Sequence, residues 1–180
     1  MVPVTILKDG QPSGAGVHLE SGLVVTAAHL TSPGSKMGVR VAGVSLPAKL
    51  VKQGSFQDVD LSLLLVDPQK LPAPVQRIQM GLCKAPPWPG DPVIVVDGQN
   101  ATRSRIVSPD VLAPGLRSKF STLIADVATT GNSGSGVFDP NGKCLLGIMS
   151  GKFTAQTPRG GKYIAKYFVP ALTIREFLRE

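Results

Sequence analysis

Short apolar runs separated by turn residues recur along the whole chain, and they restrict its fold more than any other feature. Six such runs precede a proline-rich segment and six follow it, and most are rich in Val, Ile, Leu, Thr or Tyr. Short runs of this composition are typical of β-strands. We expect strands near 2–7, 16–19, 22–27, 38–41, 45–51 and 61–66, and then near 92–96, 102–108, 123–127, 136–138, 143–150 and 162–169. Many short strands at even spacing favour an antiparallel barrel or sandwich.

The segments between and after these runs have their own signals. Residues 67–92 hold seven of the sixteen prolines and are predicted to connect the two strand sets. "DPNG" at 139–142 is typical of a tight hairpin turn. Only the C-terminal end looks helical. Pro170 suits a first helical position, and Ile174, Phe177 and Leu178 follow the i, i+3, i+4 spacing of one helix face.

Composition and charge restrict the class of protein. Hydrophobic residues make up 42% of the chain and charged residues 17%, which favours a folded globule. No apolar run approaches the ~18 residues of a membrane-spanning helix, and the start, Met-Val-Pro-Val, shows no secretory signal. The net charge of +7 favours anionic partners. The basic residues are scattered, however, with no run of five, so nucleic acid is not expected as a partner.

Two cysteines, Cys83 and Cys144, are too few for the dense disulfide framework of a small secreted domain. One bridge between them is an option, but the pattern favours two reduced, buried thiols. The low cysteine count favours a cytoplasmic location.

Three polar residues stand at the edges of predicted strands. His29 ends "GLVVTAAHL", Asp60 precedes the apolar run in "DVDLSLLLV", and Ser133 lies in "GNSGSG". A carboxylate before a buried strand needs a partner, either a backbone N–H or the ring N–H of a histidine. Asp58 is the rival carboxylate, and its position favours solvation. The simplest alternative for His29 is an ordinary histidine at a strand end.

The glycines around Ser133 suggest how a serine could become a nucleophile. A serine hydroxyl needs an adjacent base to react at neutral pH. Glycines let the backbone curl so that the N–H groups of Gly131 and Ser133 can stabilise an oxyanion. Ser135 is the rival nucleophile, and a mobile turn is the simplest alternative. A lipase-type G-x-S-x-G elbow fits neither serine, whereas the order His29, Asp60, Ser133 is one known for acyl-transfer triads.

The segments "TAAH", "DLSLL" and "GNSGSGVF" resemble the three signature segments of trypsin-like, chymotrypsin-fold serine peptidases. "FDPNGKCLLGIMSG" resembles the family's hairpin after the nucleophile, and "KYIAKYFVPALTIREFL" its last strand and terminal helix. The intervals of 31 and 73 residues between the three candidate residues resemble HtrA/Deg-type bacterial peptidases, without room for a PDZ domain, and some viral polyprotein proteases.

The resemblance implies an all-β chain of two packed antiparallel barrels forming one peptidase domain over residues 1–180. The first barrel is expected at about 1–75, the connector at 67–92, the second barrel at 90–169 and the helix at 170–179. It implies a serine endopeptidase with His29, Asp60 and Ser133 as the triad, a protein or peptide substrate, and no cofactor or metal. The alternatives are a non-catalytic binding module on the same fold and a viral-type processing protease.

Two departures from related groups affect activation and specificity. Asn132 stands where pancreatic-type enzymes carry the aspartate that pairs with a cleaved N-terminus, so that route of activation is not expected. "TTGNSGS" also resembles bacterial glutamyl endopeptidases, but Met149 and Ala128 replace that group's histidine and threonine.

The family's pocket for the residue before the scissile bond maps onto uncharged positions, namely Val127, Ala128, Met149, Ser150, Gly151 and Gly161. Because an unpaired buried charge is costly, we expect cleavage after small or medium apolar residues. Lys152, Arg159 and Lys162 flank this pocket, and an inward turn of any of them would admit an acidic residue.

Overall fold

A computed structural model of the chain describes residues 1–112, 114–117, 121–125, 133–156 and 162–179. Its first six strands form a closed antiparallel barrel. They are β1 (Pro3–Lys8), β2 (Gln11–His18), β3 (Leu23–Thr26), β4 (Met37–Val41), β5 (Val44–Gln53) and β6 (Ser62–Val66). The order around the barrel is β1-β2-β3-β6-β5-β4, and pairing of β1 with β4 closes it. Alternate residues such as Val4 and Ile6 fill the interior, because successive side chains of a strand point to opposite faces.

The connector contains short elements that the sequence pattern did not reveal. A 3₁₀ turn at Pro68–Lys70 leads into one helical turn, α1 (Ala73–Gln76). Strand β7 (Gly81–Leu82) then pairs in parallel with a strand of the second barrel. Two residues are too few to produce a visible sequence period, which is why β7 was not predicted.

The second barrel consists of six further antiparallel strands. They are β8 (Pro92–Val96), β9 (Ala101–Val107), β10 (Leu123–Ala125), β11 (Gly136–Phe138), β12 (Cys144–Gln156) and β13 (Lys162–Pro170). They follow the order β11-β8-β9-β10-β13-β12, and β11 pairs with β12 to close the ring. A 3₁₀ turn at Pro109–Val111 and the short helix α2 (Pro114–Arg117) lie between β9 and β10. The two-barrel architecture implied by the sequence is therefore confirmed.

A shared apolar core joins the two barrels. It combines Val17 and Leu63 from the first barrel with Phe138 and Ile148 from the second. The C-terminal helix α3 (Ala171–Arg179) completes this core with its buried face. In the described part of the chain, no helix has the length and apolar character needed to cross a membrane.

The predicted strands are all present, with shifted ends. Strand β12 extends six residues beyond the predicted end at 150, because its polar second half pairs with β13. Strand β2 begins at Gln11 rather than near 16 because it pairs with β1 over this length. Helix α3 begins at Ala171, since Pro170 still belongs to β13. The predicted end of β10 near Val127 lies outside the described residues.

The expectation of two reduced thiols is wrong. Cys83 and Cys144 form a disulfide, although 61 residues separate them in the chain. Pairing of β7 with the start of β12 brings the two Cα atoms within 5.0 Å, which is a normal distance for a disulfide. The cytoplasmic location, which was expected from the low cysteine count, stays a prediction.

We predict that the disulfide makes a large contribution to stability. Closing a loop of 61 residues is worth about 4 kcal/mol in the chain-entropy account. The double variant Cys83→Ala/Cys144→Ala should therefore lose about 2–5 kcal/mol in the free energy of unfolding, measured in urea. Reductant should lower the stability of the wild type and leave the double variant unchanged. A wild type that is insensitive to reductant would contradict the prediction.

Candidate active site

His29 lies on a tight turn that follows β3. The 3₁₀ turn Ala28–Leu30 places the ring at the barrel surface, where the side chain is 31% exposed. Gln53 holds this turn by donating from Nε2 to the carbonyl oxygens of Ala28 and Thr31, at 3.3 and 3.1 Å. The imidazole is thus accessible while its backbone is fixed.

Asp60 orients the His29 ring. The Asp60 carboxylate is buried, with the residue 4% exposed, and it accepts from Nδ1 of His29 at 2.8 Å and from the His29 backbone N–H at 3.1 Å. A neutral imidazole that donates through Nδ1 carries its lone pair on Nε2. The contact therefore leaves the exposed side of the ring able to accept a proton.

Ser133 is held against the first barrel by its own backbone. Its carbonyl oxygen accepts from the Ala15 N–H at 2.9 Å, and the next residue, Gly134, donates from N to the Met149 carbonyl at 2.8 Å. The hydroxyl of Ser133 donates to the Ser150 carbonyl at 3.4 Å. Gly134 has a φ of +85°, and a Cβ on it would lie 1.9 Å from the Ala15 carbonyl oxygen. Only glycine fits there, which explains part of the glycine-rich pattern.

Ser150 links the two barrels at the site. Its hydroxyl donates to Oδ2 of Asp60, although the two residues are 90 positions apart. Ser133, Ser150, Asp60 and His29 therefore form one hydrogen-bonded chain across the junction of the barrels. Tyr167 lies behind this chain. Burial mainly, and the Asp60 charge to a lesser degree, raise the pKa of its phenol, while a hydrogen bond with Ser150 opposes the shift.

The rival residues differ from these in exposure. Asp58 is exposed whereas Asp60 is buried, as their positions in the sequence suggested. Ser135 is fully buried, while Ser133 is partly exposed. The second histidine, His18, is also fully buried, and burial lowers the pKa of its ring, with the Glu20 charge opposing the shift.

The predicted pocket residues are only partly described. Met149 and Gly151 line a small cavity of about 100 Å³ beside Ser133, together with Lys152 and Lys166. Ser150, predicted as a wall of the same pocket, instead directs its hydroxyl at Asp60. Four predicted site residues lie outside the described part of the chain: Val127, Ala128, Gly131 and Gly161.

The sequence did not reveal several residues that shape the site. The ring of Phe56, which is 51% exposed, meets the His29 ring edge-on at a centroid distance of 5.6 Å. Gln53 holds the histidine turn, and Lys166 lines the cavity. Ser150 was identified, but its contact with Asp60 was not. None of these contacts leaves a local sequence signal, because each depends on how distant strands align.

Comparison with known families identifies the family to which the chain belongs. The model of the trypsin-like peptidase domain matches residues 14–148, which is about three-quarters of the sequence. The chain belongs to the trypsin-like peptidase family. No curated protein matches it at a significant level. The HtrA-type likeness of the motif spacing stays a prediction.

Solved structures show the same fold at low sequence identity. The inactive form of the Rv3671c protease, a protein of M. tuberculosis, has a TM-score of 0.68 at 20% identity, over 98% of this chain and 87% of that one. Kallikrein-related peptidase 10 has a TM-score of 0.72 at 19% identity, over 98% of this chain and 92% of that one. At these identities the likeness establishes the fold.

We predict that Gly134 is required for the contact between Ser133 and the first barrel. Gly134→Ala should cost about 2–5 kcal/mol in the free energy of unfolding, because a positive φ and a steric clash add together. Gly34→Ala is the matched control, since Gly34 has a φ of +87° but nothing within 4 Å of an added Cβ. That variant should lose only about 1–2 kcal/mol. Equal losses in urea unfolding would show that the clash is relieved at no cost.

Proposed function

We propose that the protein is a serine endopeptidase in which His29, Asp60 and Ser133 act as a catalytic triad on protein or peptide substrates. Membership of the trypsin-like peptidase family supports the reaction class. The hydrogen-bonded chain from Ser133 through Ser150 and Asp60 to His29 is the observation that carries the residue assignment. It links the candidate nucleophile of one barrel with the candidate base and acid of the other.

In the proposed first step, the Ser133 hydroxyl attacks the carbonyl carbon of the scissile peptide bond. Its proton passes to Nε2 of His29, which acts as general base. This step requires the Ser133 hydroxyl to turn from the Ser150 carbonyl toward Nε2 of His29. Hydrogen bonds between catalytic groups commonly tighten only when substrate is bound. Asp60 stabilises the imidazolium that forms and keeps the proton-bearing nitrogen facing inward.

The tetrahedral intermediate carries a negative oxygen that needs hydrogen-bond donors. We assign this role to the backbone N–H of Ser133, with Gly131 as the second donor expected from the sequence. Support comes from the peptide group that follows Ser133: its carbonyl oxygen accepts from the Ala15 N–H and its N–H, that of Gly134, donates to the Met149 carbonyl, so the Ser133 backbone is held in place.

Collapse of the intermediate completes the first half of the reaction. His29 donates its proton to the leaving amine, and the acyl group stays on Ser133. A water molecule activated by His29 then attacks the acyl-enzyme, and the Ser133 hydroxyl is restored as the carboxylic acid product leaves.

Our first test of this proposal is labelling with a serine-reactive fluorophosphonate. The wild type should be labelled and should cleave peptides. Ser133→Ala should not be labelled, and its kcat should be lower by a factor of about 10⁶. Ser135→Ala is the matched control, and we expect it to keep both, because its side chain is buried away from solvent. A wild type that resists labelling and cleaves no peptide would favour the non-catalytic binding module. Loss of labelling in Ser135→Ala alone would reassign the nucleophile.

A second test concerns the acid. Asp60→Asn should lower kcat by about 10⁴, because an amide favours the wrong tautomer of the His29 ring. Asp58→Asn makes the same chemical change at an exposed carboxylate two residues away and should have little effect. Steady-state kinetics on one peptide substrate measures both. Similar losses for the two variants would refute the assignment of Asp60.

A further inference from the structure

A second, larger cavity adjoins Ser133 and has a volume of about 480 Å³. Its walls include strand β2 of the first barrel, Leu30 and the turn at 97–100 between β8 and β9 of the second barrel. Among the described residues, Ser133 alone lines both this cavity and the small one formed by Met149 and Gly151. The two cavities therefore flank the candidate nucleophile.

Contacts between the barrels hold the walls of this larger cavity in place. The Ala15 N–H of β2 donates to the Ser133 carbonyl at 2.9 Å. At the turn between β8 and β9, a Cβ on Gly98 would lie 2.6 Å from Oγ1 of Thr5, so the second barrel also approaches β1 closely there. The cavity is thus a preformed space between the two barrels.

The proposed reaction indicates which part of a substrate enters this space. A substrate chain extends in two directions from the carbonyl carbon that Ser133 attacks, and the family resemblance assigns the side chain before the scissile bond to the small cavity at Met149 and Gly151. His29 donates its proton to the leaving amine, so the leaving segment begins beside the His29 ring. Leu30, the next residue, lines the larger cavity. The residues after the scissile bond therefore continue toward it.

Asp97 gives this cavity a negative charge. Among the described lining residues, it is the one that is charged at neutral pH. Asp97 is half-buried, and its Oδ1 accepts from the backbone N–H groups of Gln99 and Asn100 at 2.8 and 2.7 Å. Within the part of the chain that the structure describes, Asp97 forms no salt bridge. The backbone of the turn therefore fixes the carboxylate, while acceptor sites on it remain for a ligand.

A fixed carboxylate in such a cleft attracts cations and disfavours anions, because low-dielectric walls concentrate its field. Arginine and lysine side chains offer five and three N–H donors, and hydrogen bonds between ionised partners are roughly twice as strong as neutral ones. Their methylene stems also pack along apolar surface, which Leu30 and Pro12 supply in this cavity. The lining therefore fits a basic side chain.

We propose that the larger cavity binds the first two substrate residues after the scissile bond, and that Asp97 makes it select lysine or arginine at one of these positions. The inference rests on the proposed function, since it needs Ser133 as the nucleophile and His29 as the proton donor to the leaving amine. The apolar preference expected from the sequence concerns the residue before the scissile bond, and it stays a separate prediction.

Paired peptide substrates test the inference. Fluorogenic peptides with arginine or citrulline at the first or second position after the scissile bond differ in charge but hardly in shape. At one of the two positions we expect an Arg:citrulline ratio in kcat/KM of about 5 to 20, between the values typical of an exposed ion pair and of a hydrogen bond to a charged group. Glutamate at that position should give the poorest substrate of the three. Added salt should lower the ratio, since it screens the attraction.

Acyl transfer measures the same preference without the segment before the bond changing. The acyl-enzyme from one ester substrate is offered arginine amide or alanyl-arginine amide, whose amine nitrogen bonds to the acyl carbon in place of water. The Ser133 oxygen leaves and regains its proton through His29. The amine then occupies the place of a leaving group. One of the two arginine compounds should compete with water better than its citrulline counterpart, measured as the ratio of amide to acid product.

Variants identify the residue responsible. Asp97→Asn keeps an oxygen that can accept from Gln99 and Asn100 but removes the charge, so the Arg:citrulline ratio should fall to about 1. Asp97→Lys should reverse the preference toward glutamate. Asp139→Asn is the matched control, because Asp139 also accepts from backbone N–H groups but lies in the turn between β11 and β12. It should leave the ratio unchanged. The ratio is internal to each variant, so a general loss of activity does not disturb it.

The outcomes separate this inference from the proposed function. An enzyme that is labelled by fluorophosphonate at Ser133 but has an Arg:citrulline ratio near 1 at both positions would overturn basic selectivity and leave the peptidase proposal standing. A ratio that persists in Asp97→Asn, or that falls equally in Asp139→Asn, would overturn the role of Asp97. Absence of both labelling and cleavage would instead refute the peptidase proposal, and the inference would fall with it.

Discussion

The carboxylate of Asp60 is the group on which the geometry of the site depends. It is buried, and it accepts from the backbone and ring of His29 in the first barrel and from the Ser150 hydroxyl in the second. A buried carboxylate must keep its donors, because the desolvated charge is otherwise costly. The orientation of the imidazole is therefore coupled to the position of one barrel relative to the other.

Close packing between the barrels maintains this coupling. A Cβ on Gly136 would lie 2.6 Å from Cγ2 of Val17, so at this point the second barrel approaches the first without a side chain between them. Lys52 of β5 in the first barrel donates to the Phe177 carbonyl of α3 at 2.8 Å, and its Nζ lies 4.4 Å from the centre of the Phe177 ring. Helix α3 thus holds both barrels, and small shifts at the junction would alter the hydrogen bonds between Ser133, Ser150 and Asp60.

Local sequence patterns predicted the strands and the order of the candidate triad. The features that were missed depend on pairing between strands that are distant in the chain. The strands followed from short apolar runs, and the order of His29, Asp60 and Ser133 from three short motifs. The disulfide was mispredicted because it depends on β7, which is only two residues long and pairs with a strand far along the chain. The position of Lys166 opposite Lys152 depends on a one-residue bulge in β12, which shifts the pairing of β12 with β13. Such a register shift is a property of the paired strands, and it cannot be predicted from the spacing of residues along the sequence.

A crystal structure of the fluorophosphonate adduct would test the central claim most directly, since the claim is that residues from both barrels form one reactive centre. The account predicts a covalent bond from phosphorus to Oγ of Ser133, with His29 Nε2 within about 2.6–3.2 Å of an adduct oxygen. Asp60 should still accept from Nδ1 of His29 and from the Ser150 hydroxyl. An adduct on Ser135, or one on Ser133 with His29 turned away from both Asp60 and the adduct, would contradict it.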